Sequence, residues 1–242
     1  VLLKQISYYH NMQMARKISL NSAYGAIGNE FFRYYDRDIA EAITMSGQLS
    51  VRTAENCINK TMQSMLQSES DFVIAADTDS IYVNCGPLVD KTYEDVPFEP
   101  DKDNVDNKKA IVAFLDKVGD GPFQQVLDKA YQDLYEYTQA YEQKMFMKRE
   151  GISDRGVWTA KKRYILNVWN NEGVQYEKPK LKVMGLESVR SSTPEICRDK
   201  LKEAYGLIMT KTESDLQKFN TEFKKEFNQE PVENIAFPRS VK

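Results

Sequence analysis

The stretch Phe72-Val73-Ile74-Ala75-Ala76-Asp77-Thr78-Asp79-Ser80-Ile81-Tyr82-Val83 sets two apolar runs on either side of a short polar segment. Apolar strands bounded by a polar turn are typical of a β-hairpin, and Asp tolerates the backbone geometry of tight turns. Such a hairpin places the carboxylates of Asp77 and Asp79 at its tip. Two like charges this close are unfavourable unless a cation joins them, and Mg²⁺ prefers carboxylate oxygens. The turn therefore indicates a magnesium site for phosphoryl transfer, or, more plainly, a solvated hairpin loop.

A second group of chemically useful side chains lies near the start of the chain. Lys17, Asn21 and Tyr24 are spaced by four and then three residues, so they share one face of a predicted helix. A cation, an amide and an aromatic ring on one face could hold a triphosphate together with a base pair. The structural alternative is a surface lysine, a capping asparagine and a core tyrosine, with Gly25 ending the helix.

Three blocks of the chain resemble the motifs of family B DNA polymerases. Lys17-x3-Asn21-Ser22-x-Tyr24-Gly25 resembles motif B, Asp77-Thr78-Asp79-Ser80 resembles motif C, and Lys161-Lys162-Arg163-Tyr164 resembles the Lys-Lys-x-Tyr motif. Their order and rough spacing agree with that family. The stretches 158–169 and 180–187 are also similar to the replicative polymerases of T-even-type bacteriophages. The resemblance covers nearly the whole chain.

The resemblance implies an α+β fold, in which a polymerase palm with an antiparallel sheet and packed helices joins a fingers helix and a partial helical thumb. Residues 1–27 would form the distal fingers helix, residues 28–188 the palm and residues 189–242 the partial thumb.

Hydrophobic periodicity and turn residues predict the individual elements. We expect helices over 2–27, 38–66, 105–118, 121–138, 195–210 and 213–228, the hairpin over 72–84, and strands over 144–150, 157–170 and 180–186. The stretch 86–107 is rich in Pro, Asp and Lys and is predicted to be a loop or insertion. Thr193 before Pro194 and Glu195 predicts a helix start with the threonine as N-cap.

The resemblance also implies roles at the reacting end of the site. Asp79 would bind the catalytic metal, and Asp77 would set the local charge or act as a further ligand. Lys17 would bind phosphate oxygens of the incoming nucleotide, while Asn21 and Tyr24 would line the nascent base pair.

The basic block would contact DNA through Lys161, Lys162, Arg163 and Tyr164. Of these, Lys162 and Tyr164 would hold the primer end, with Lys162 close to the acidic turn and counted among the catalytic residues with Asp77, Asp79 and Lys17. Glu150 resembles a further acidic residue near the site, with a surface charge on a strand as the competing interpretation.

The implied reaction is DNA-templated DNA synthesis, in which a primer 3′ hydroxyl attacks the α-phosphorus of a dNTP with the help of two Mg²⁺ ions. The implied partners are primer-template DNA, dNTP and the N-terminal polymerase segments. Because neither motif A nor an exonuclease domain is found before Lys17, we expect an internal piece of a polymerase that extends primers poorly on its own. The alternatives are a non-catalytic DNA-binding or assembly half of a split polymerase, and a different nucleotidyl transferase.

Composition limits the other classes of function. The single histidine, His10, and three widely spaced cysteines argue against a His-based nucleophile or a zinc site. No apolar run approaches a membrane span, and we expect a cytoplasmic protein.

The net charge of −3 is unusual for a DNA-binding chain, but positive charge is grouped locally. Lys178, Lys180 and Lys182 alternate, which predicts one basic strand face.

Overall fold

The computed structural model describes residues 2–93, 105–237 and 239, and it shows a mixed α+β chain with two separate antiparallel sheets. The helices are α1 (Leu2–Ile27), α2 (Arg37–Leu66), α3 (Gly86–Thr92), α4 (Val105–Val118), α5 (Gln124–Thr138), α6 (Glu195–Thr210), α7 (Glu213–Phe227) and α8 (Val232–Ile235). The strands are β1 (Val73–Asp77), β2 (Ser80–Val83), β3 (Gly151–Ala160), β4 (Arg163–Asn171) and β5 (Val174–Met184). The hairpin β1–β2 forms one sheet, and β3–β4–β5 form the other in that order.

The largest core lies between α2, α5 and the hairpin. Ala54, Ile58 and Met62 of α2 recur every fourth residue and are almost fully buried, as expected of the inner stripe of a packed helix. Leu127 and Tyr131 of α5 pack against this stripe with neighbours from the hairpin. The helix that supports the acidic hairpin is therefore fixed by apolar packing.

The strand β4 is the centre of the second sheet, and both of its faces are covered. On one face, Ile165 packs with Leu186, Tyr205 and Met209, which ties α6 to the sheet. On the other face, Tyr164, Leu166 and Val168 are joined by Trp158, Tyr176 and the hairpin residue Tyr82. Because successive side chains of a strand point to opposite faces, this alternation directs Tyr164 towards the hairpin.

A buried amide attaches the hairpin to α2. The side-chain oxygen of Asn59, which is 9% exposed, accepts hydrogen bonds from the main-chain nitrogens of Phe72 at 2.8 Å and Val73 at 2.9 Å. These donors lie at the start of the hairpin, whose first paired residue is Val73, and would otherwise lie unsatisfied beside the core. Asn59 therefore fixes where the first strand leaves the helix.

The sequence predictions for α1, α2, the hairpin, α4 and α7 are confirmed to within two residues. The predicted strand over 144–150 is wrong, because this stretch has no regular structure. The main-chain nitrogen and oxygen of Met145, which a neighbouring strand would bond in a sheet, are bonded by the side chain of Gln143. The predicted strand over 157–170 is also wrong, because it is two strands reversed at Lys161 and Lys162. The strand predicted at 180 begins earlier, at Val174.

Three boundary predictions also need correction. The predicted loop over 86–107 begins with α3, where Pro87 occupies the first turn and Leu88 and Val89 are buried; its residues 94–104 lie outside the described part. The break predicted at 119–122 is a π-helical turn over Gly119–Phe123 that joins α4 to α5, since a wide turn tolerates Pro122. The N-cap of α6 is Pro194 and not Thr193, whose side chain makes no capping bond.

Replacing Asn59 with leucine should destabilise the chain. The substitution keeps a similar volume but leaves the main-chain nitrogens of Phe72 and Val73 without their acceptor. Each buried donor left unsatisfied costs about 1–3 kcal/mol, so we expect a loss of that order in the free energy of unfolding measured in urea. Lys60→Ala, at the exposed neighbouring position of α2, is the control and should change stability by less than about 0.5 kcal/mol.

Candidate active site

The acidic turn, defined as Asp77 to Ser80, is a two-residue hairpin turn that is held by its own side chains. Asp77 pairs with Ser80 across the hairpin, the Thr78 hydroxyl donates to Asp77 Oδ1 at 3.0 Å, and the Ser80 hydroxyl donates to the Asp77 main-chain oxygen at 3.1 Å. Thr78 has a φ of +50°, which a β-branched residue rarely adopts. The turn therefore presents two carboxylates in a locally strained, self-bonded conformation.

The basic turn, defined as Lys161 and Lys162, joins β3 to β4. Lys162 has a φ of +62°, which is again unusual for a residue other than glycine. Behind it lies Gly185, with a φ of +66°, and a Cβ at this glycine would collide with the main-chain oxygen of Lys162. Glycine is therefore the residue that fits here, because it alone permits both this φ and this close approach.

The two turns face each other across the gap between the sheets. Lys162 Nζ lies 3.9 Å from Asp77 Oδ1, and the two side chains are 65% and 26% exposed. An ion pair this exposed adds less than about 1 kcal/mol to stability. Its significance is geometric, because it brings Lys162 against the first carboxylate of the acidic turn, although the two residues are more than eighty positions apart in the chain.

A cleft of about 930 Å³ opens between the hairpin and the second sheet. Asp79, which is exposed, lines it together with Glu150 and Lys182, and Lys182 Nζ lies 2.7 Å from Glu150 Oε1. Of the three alternating lysines, Lys180 and Lys182 are ladder partners of Val168 and Leu166, whereas Lys178 falls where the β4–β5 register shifts. The basic face is therefore supported by the ladder at two of its three positions.

The donor set at the acidic turn fits a hard divalent cation such as Mg²⁺, because it consists of carboxylate oxygens. Within residues 2–93, 105–237 and 239, no group of three or more His, Cys, Asp or Glu side chains is placed to hold a metal ion. Two carboxylates supply part of an octahedral shell, and magnesium sites that act on phosphates commonly take their other ligands from water and substrate.

Helix α1 presents Lys17, Asn21 and Tyr24 on an exposed surface. The Tyr24 hydroxyl lies 2.9 Å from the Thr44 hydroxyl, and this bond links α1 to α2. Lys17 and Asn21 line a shallow groove along α1, and in the described part of the chain no hydrogen bond or ion pair joins them to the acidic turn. The helix carries three Lys or Arg residues and no Asp or Glu, so its surface is cationic although the whole chain is not.

The Lys-Lys-Arg-Tyr block consists of two exposed residues followed by two residues packed within the chain. Lys161 and Lys162 are exposed, whereas Arg163 forms an ion pair with Glu187 and Tyr164 is 7% exposed. The geometry leaves the two lysines open to solvent and uses Arg163 and Tyr164 in contacts within the chain.

Sequence reasoning missed the aromatic bracket, a cluster of three rings formed by Tyr82, Trp158 and Tyr164. The ring of Tyr82 meets those of Trp158 and Tyr164 edge-on, with centroids 5.2 Å and 5.5 Å away. Burial and the neighbouring Tyr164 hydroxyl raise the pKa of Tyr82 to about 12. No sequence signal marked it: the two-residue turn at Lys161 and Lys162 sets Ala160 opposite Arg163, and only a register shift between Trp158 and Ala160 makes Trp158 the cross-strand partner of Tyr164.

Comparison with known proteins agrees with the motifs. A family model described as DNA polymerase family B matches residues 3–96. The chain is 38% identical over 233 residues to the DNA-directed DNA polymerase of Enterobacteria phage T4, covering 93% of this chain and 25% of that protein. This chain belongs to the family B DNA polymerases. It is also 40% identical over 210 residues to the DNA-directed DNA polymerase of Escherichia phage RB69, covering 83% of this chain and 22% of that protein.

A more distant relative matches a shorter stretch of this family B chain. The DNA polymerase alpha catalytic subunit of Trypanosoma brucei brucei is 35% identical over 74 residues, which is 31% of this chain and 5% of that protein. The chain spans about a quarter of the length of the phage relatives it matches. Among the helices that the structure describes, none has both the length and the apolar composition to cross a bilayer.

The raised pKa of Tyr82 predicts that the stability contributed by the aromatic bracket depends on pH. Because the folded state favours the neutral phenol, this stabilisation is fully present below about pH 10, the ordinary pKa, and is lost as the pH rises to about 12. Urea unfolding across this range should therefore show a smaller pH-dependent loss in Tyr82→Phe than in the parent chain. The control is Tyr137→Phe, at a position 84% exposed, which should behave like the parent. Identical curves for parent and Tyr82→Phe would contradict the burial of this hydroxyl.

Proposed function

We propose that this chain carries the nucleotidyl-transfer site of DNA-templated DNA synthesis. The observation that supports this most is the approach of Lys162 to Asp77, since it brings the motif resembling Lys-Lys-x-Tyr against the motif resembling motif C in a family B chain. In this proposal residues 1–27 act as a fingers helix, residues 28–188 as the palm and residues 189–242 as part of the thumb.

The reaction that suits these groups is an in-line attack of a primer 3′ hydroxyl on the α-phosphorus of a dNTP, with pyrophosphate leaving. Asp79 and Asp77 would hold Mg²⁺, which when bound neutralises charge on the phosphate and attacking oxygens. Lys162 lies where it can keep the primer terminus against the acidic turn and offset repulsion between the two carboxylates. Positioning and electrostatics of this kind supply most of the rate in phosphoryl transfer.

The cationic surface of α1 is the proposed contact for the triphosphate. Lys17 and its neighbour Arg16 lie on a helix without acidic residues, so the phosphate charge would meet no competing carboxylate on that helix. Asn21 and Tyr24 would line the nascent base pair, and the bond from Tyr24 to Thr44 would fix the ring against α2.

The proposed partners are primer-template DNA, a dNTP and further polymerase segments. Further polymerase segments are proposed because the phage relatives named DNA-directed DNA polymerase are about four times longer than this chain. A second candidate is a DNA-binding or assembly half of a split polymerase without catalysis of its own. It is favoured by the chain's span, about a quarter of the length of the phage relatives, since part of a catalytic site would then lie on other polymerase segments.

DNA binding should depend on Lys162. We expect Lys162→Ala to weaken binding of a primer-template duplex about tenfold at low salt, and to reduce the slope of log affinity against log salt by about one. Fluorescence anisotropy over a salt series measures both quantities. Lys129→Ala removes an equal charge from the exposed face of α5 and should leave both nearly unchanged. Equal losses in the two variants would point to non-specific attraction and count against the proposed site.

Metal binding should depend on Asp79. With primer-template and dNTP present, Asp79→Asn should lower the affinity for Mn²⁺, a spectroscopic substitute for Mg²⁺, by about tenfold or more in electron paramagnetic resonance titrations. Asp133→Asn, on the exposed face of α5, is the control. Primer extension with Mg²⁺ then separates the two candidates: extension lost in Asp79→Asn supports catalysis, whereas DNA binding without extension in the parent chain supports the assembly role.

A further inference from the structure

The acidic turn and the basic turn belong to different sheets, and this raises the question of what sets their separation. The hairpin β1–β2 and the sheet β3–β4–β5 share no strand pairing in the described residues. The exposed pair of Lys162 and Asp77 is too weak to fix the distance by itself. Packing must therefore determine how closely the two turns approach: α4, which continues into α5 of the hairpin's core, packs on the sheet at a distance from the turns, and the aromatic bracket packs beside them.

The aromatic bracket is the packing that joins the two sheets next to both turns. Tyr82 follows the acidic turn by two residues, Trp158 precedes the basic turn by three, and Tyr164 follows it by two. At about 3.3 Å per strand residue, each ring originates within about 10 Å of the turn that it flanks. The three rings therefore connect the hairpin to the sheet at the level of the candidate site.

The geometry of the bracket is specific to these rings. Tyr82 meets Trp158 at 71° and Tyr164 at 63°, so one ring from the hairpin is held edge-on by two rings of the sheet. Edge-to-face contact is a favoured arrangement of aromatic pairs, and it has a defined direction that aliphatic side chains lack. Replacement of a ring by an aliphatic side chain would keep much of the apolar burial but lose this direction.

The sheet makes room for the bracket at Gly156. A Cβ at this position would lie 2.6 Å and 2.7 Å from atoms of the Trp158 ring and 2.8 Å from Leu166, so the indole lies over the glycine. The indole nitrogen is buried and has no hydrogen-bond partner among the described residues. The local structure thus accommodates an indole whose polar atom is unsatisfied, which indicates that the ring is there for its shape and its contact with Tyr82.

We propose that Tyr82 and Trp158 are positioning residues, which hold the acidic turn at a fixed distance from the lysine of the basic turn. They touch neither substrate nor metal and act through Asp77 and Lys162. This inference rests on the proposed function for its purpose, but its structural content, a spacing between two turns, is measurable without any activity. Tyr164 completes the bracket as the ring shared by the basic strand and the hairpin contact.

The spacing can be measured with nitroxide labels on cysteines introduced at Ala76, directly before the acidic turn, and at Lys161, both exposed, in a background with Cys57, Cys85 and Cys197 replaced by alanine. Dipolar broadening in electron paramagnetic resonance then reports the distance distribution between the turns. We expect Tyr82→Leu and Trp158→Leu to widen this distribution roughly twofold, because aliphatic side chains do not reproduce the edge-on contact. Tyr82→Phe keeps the ring and should restore the parent distribution.

The matched control is Tyr176→Leu. This substitution removes an aromatic ring from the same face of the sheet, but Tyr176 is not one of the two rings that Tyr82 meets edge-on. It should leave the distribution unchanged. Circular dichroism and urea unfolding identify any variant that fails to fold, and the pair Tyr82→Phe and Tyr82→Leu keeps the test valid if the tryptophan variant does so. An unchanged distribution in folded Tyr82→Leu, or equal broadening in Tyr176→Leu, would overturn the inference.

Unlabelled variants connect the spacing to function. If the bracket positions the site, Tyr82→Leu should weaken primer-template binding by about the same factor as Lys162→Ala, and Tyr82→Phe should not. A parent chain that binds no primer-template would overturn the proposed function, while the distance measurement would still decide whether the bracket sets the spacing. A widened distribution with unchanged DNA affinity would overturn the positioning role.

Discussion

The edge-on contact of Tyr82 with Trp158 and Tyr164 is the constraint on which the candidate site depends. Each sheet is fixed by its own core: the hairpin by α2 through Asn59 and apolar packing, and the β3–β4–β5 sheet by α6 on its other face. Helix α4, which continues into α5, links the two cores through Val112 against Ile152 and Trp169. The three rings add a contact between the sheets beside the charged residues of the two turns.

Each of the two turns contains one residue with an unusual backbone conformation. Thr78 and Lys162, one in each turn, have positive φ angles that side chains other than glycine rarely adopt. Strain of this kind persists only where the surroundings over-determine the conformation. Here the surroundings are the hydroxyl bonds within the acidic turn and the close approach of Gly185 behind Lys162. Each turn is thus held in its conformation by contacts in its immediate surroundings.

The parts of the structure that could be predicted from sequence are those with local signals. The period of α2 and the Asp-Thr-Asp-Ser turn between apolar runs are such signals, because burial and turn chemistry act within a few residues. The chain reverses at Lys161 and Lys162, and neither residue is a glycine or asparagine that would mark a turn in the sequence. The space next to Lys162 comes from Gly185, which is distant in sequence. The stretch 144–150 alternates like a strand, but no strand pairs with it among the residues that the structure describes. The meeting of Lys162 with Asp77 followed from the family resemblance, whereas the ring contacts beside it did not.

Charge placement explains how a chain with a net charge of −3 can present a surface to a polyanion. Near the cleft the lysines come with acidic partners, Lys162 with Asp77 and Lys182 with Glu150, so the local field is balanced and directional. On α1 the cations have no acidic neighbours on their own helix and, in the proposed function, would attract phosphate over a longer range. A phosphate drawn towards α1 and a metal held at the acidic turn would be recognised by different means, one by attraction that salt screens and one by carboxylate ligation. This separation predicts different salt dependence for the two kinds of binding, because only the first relies on exposed charge.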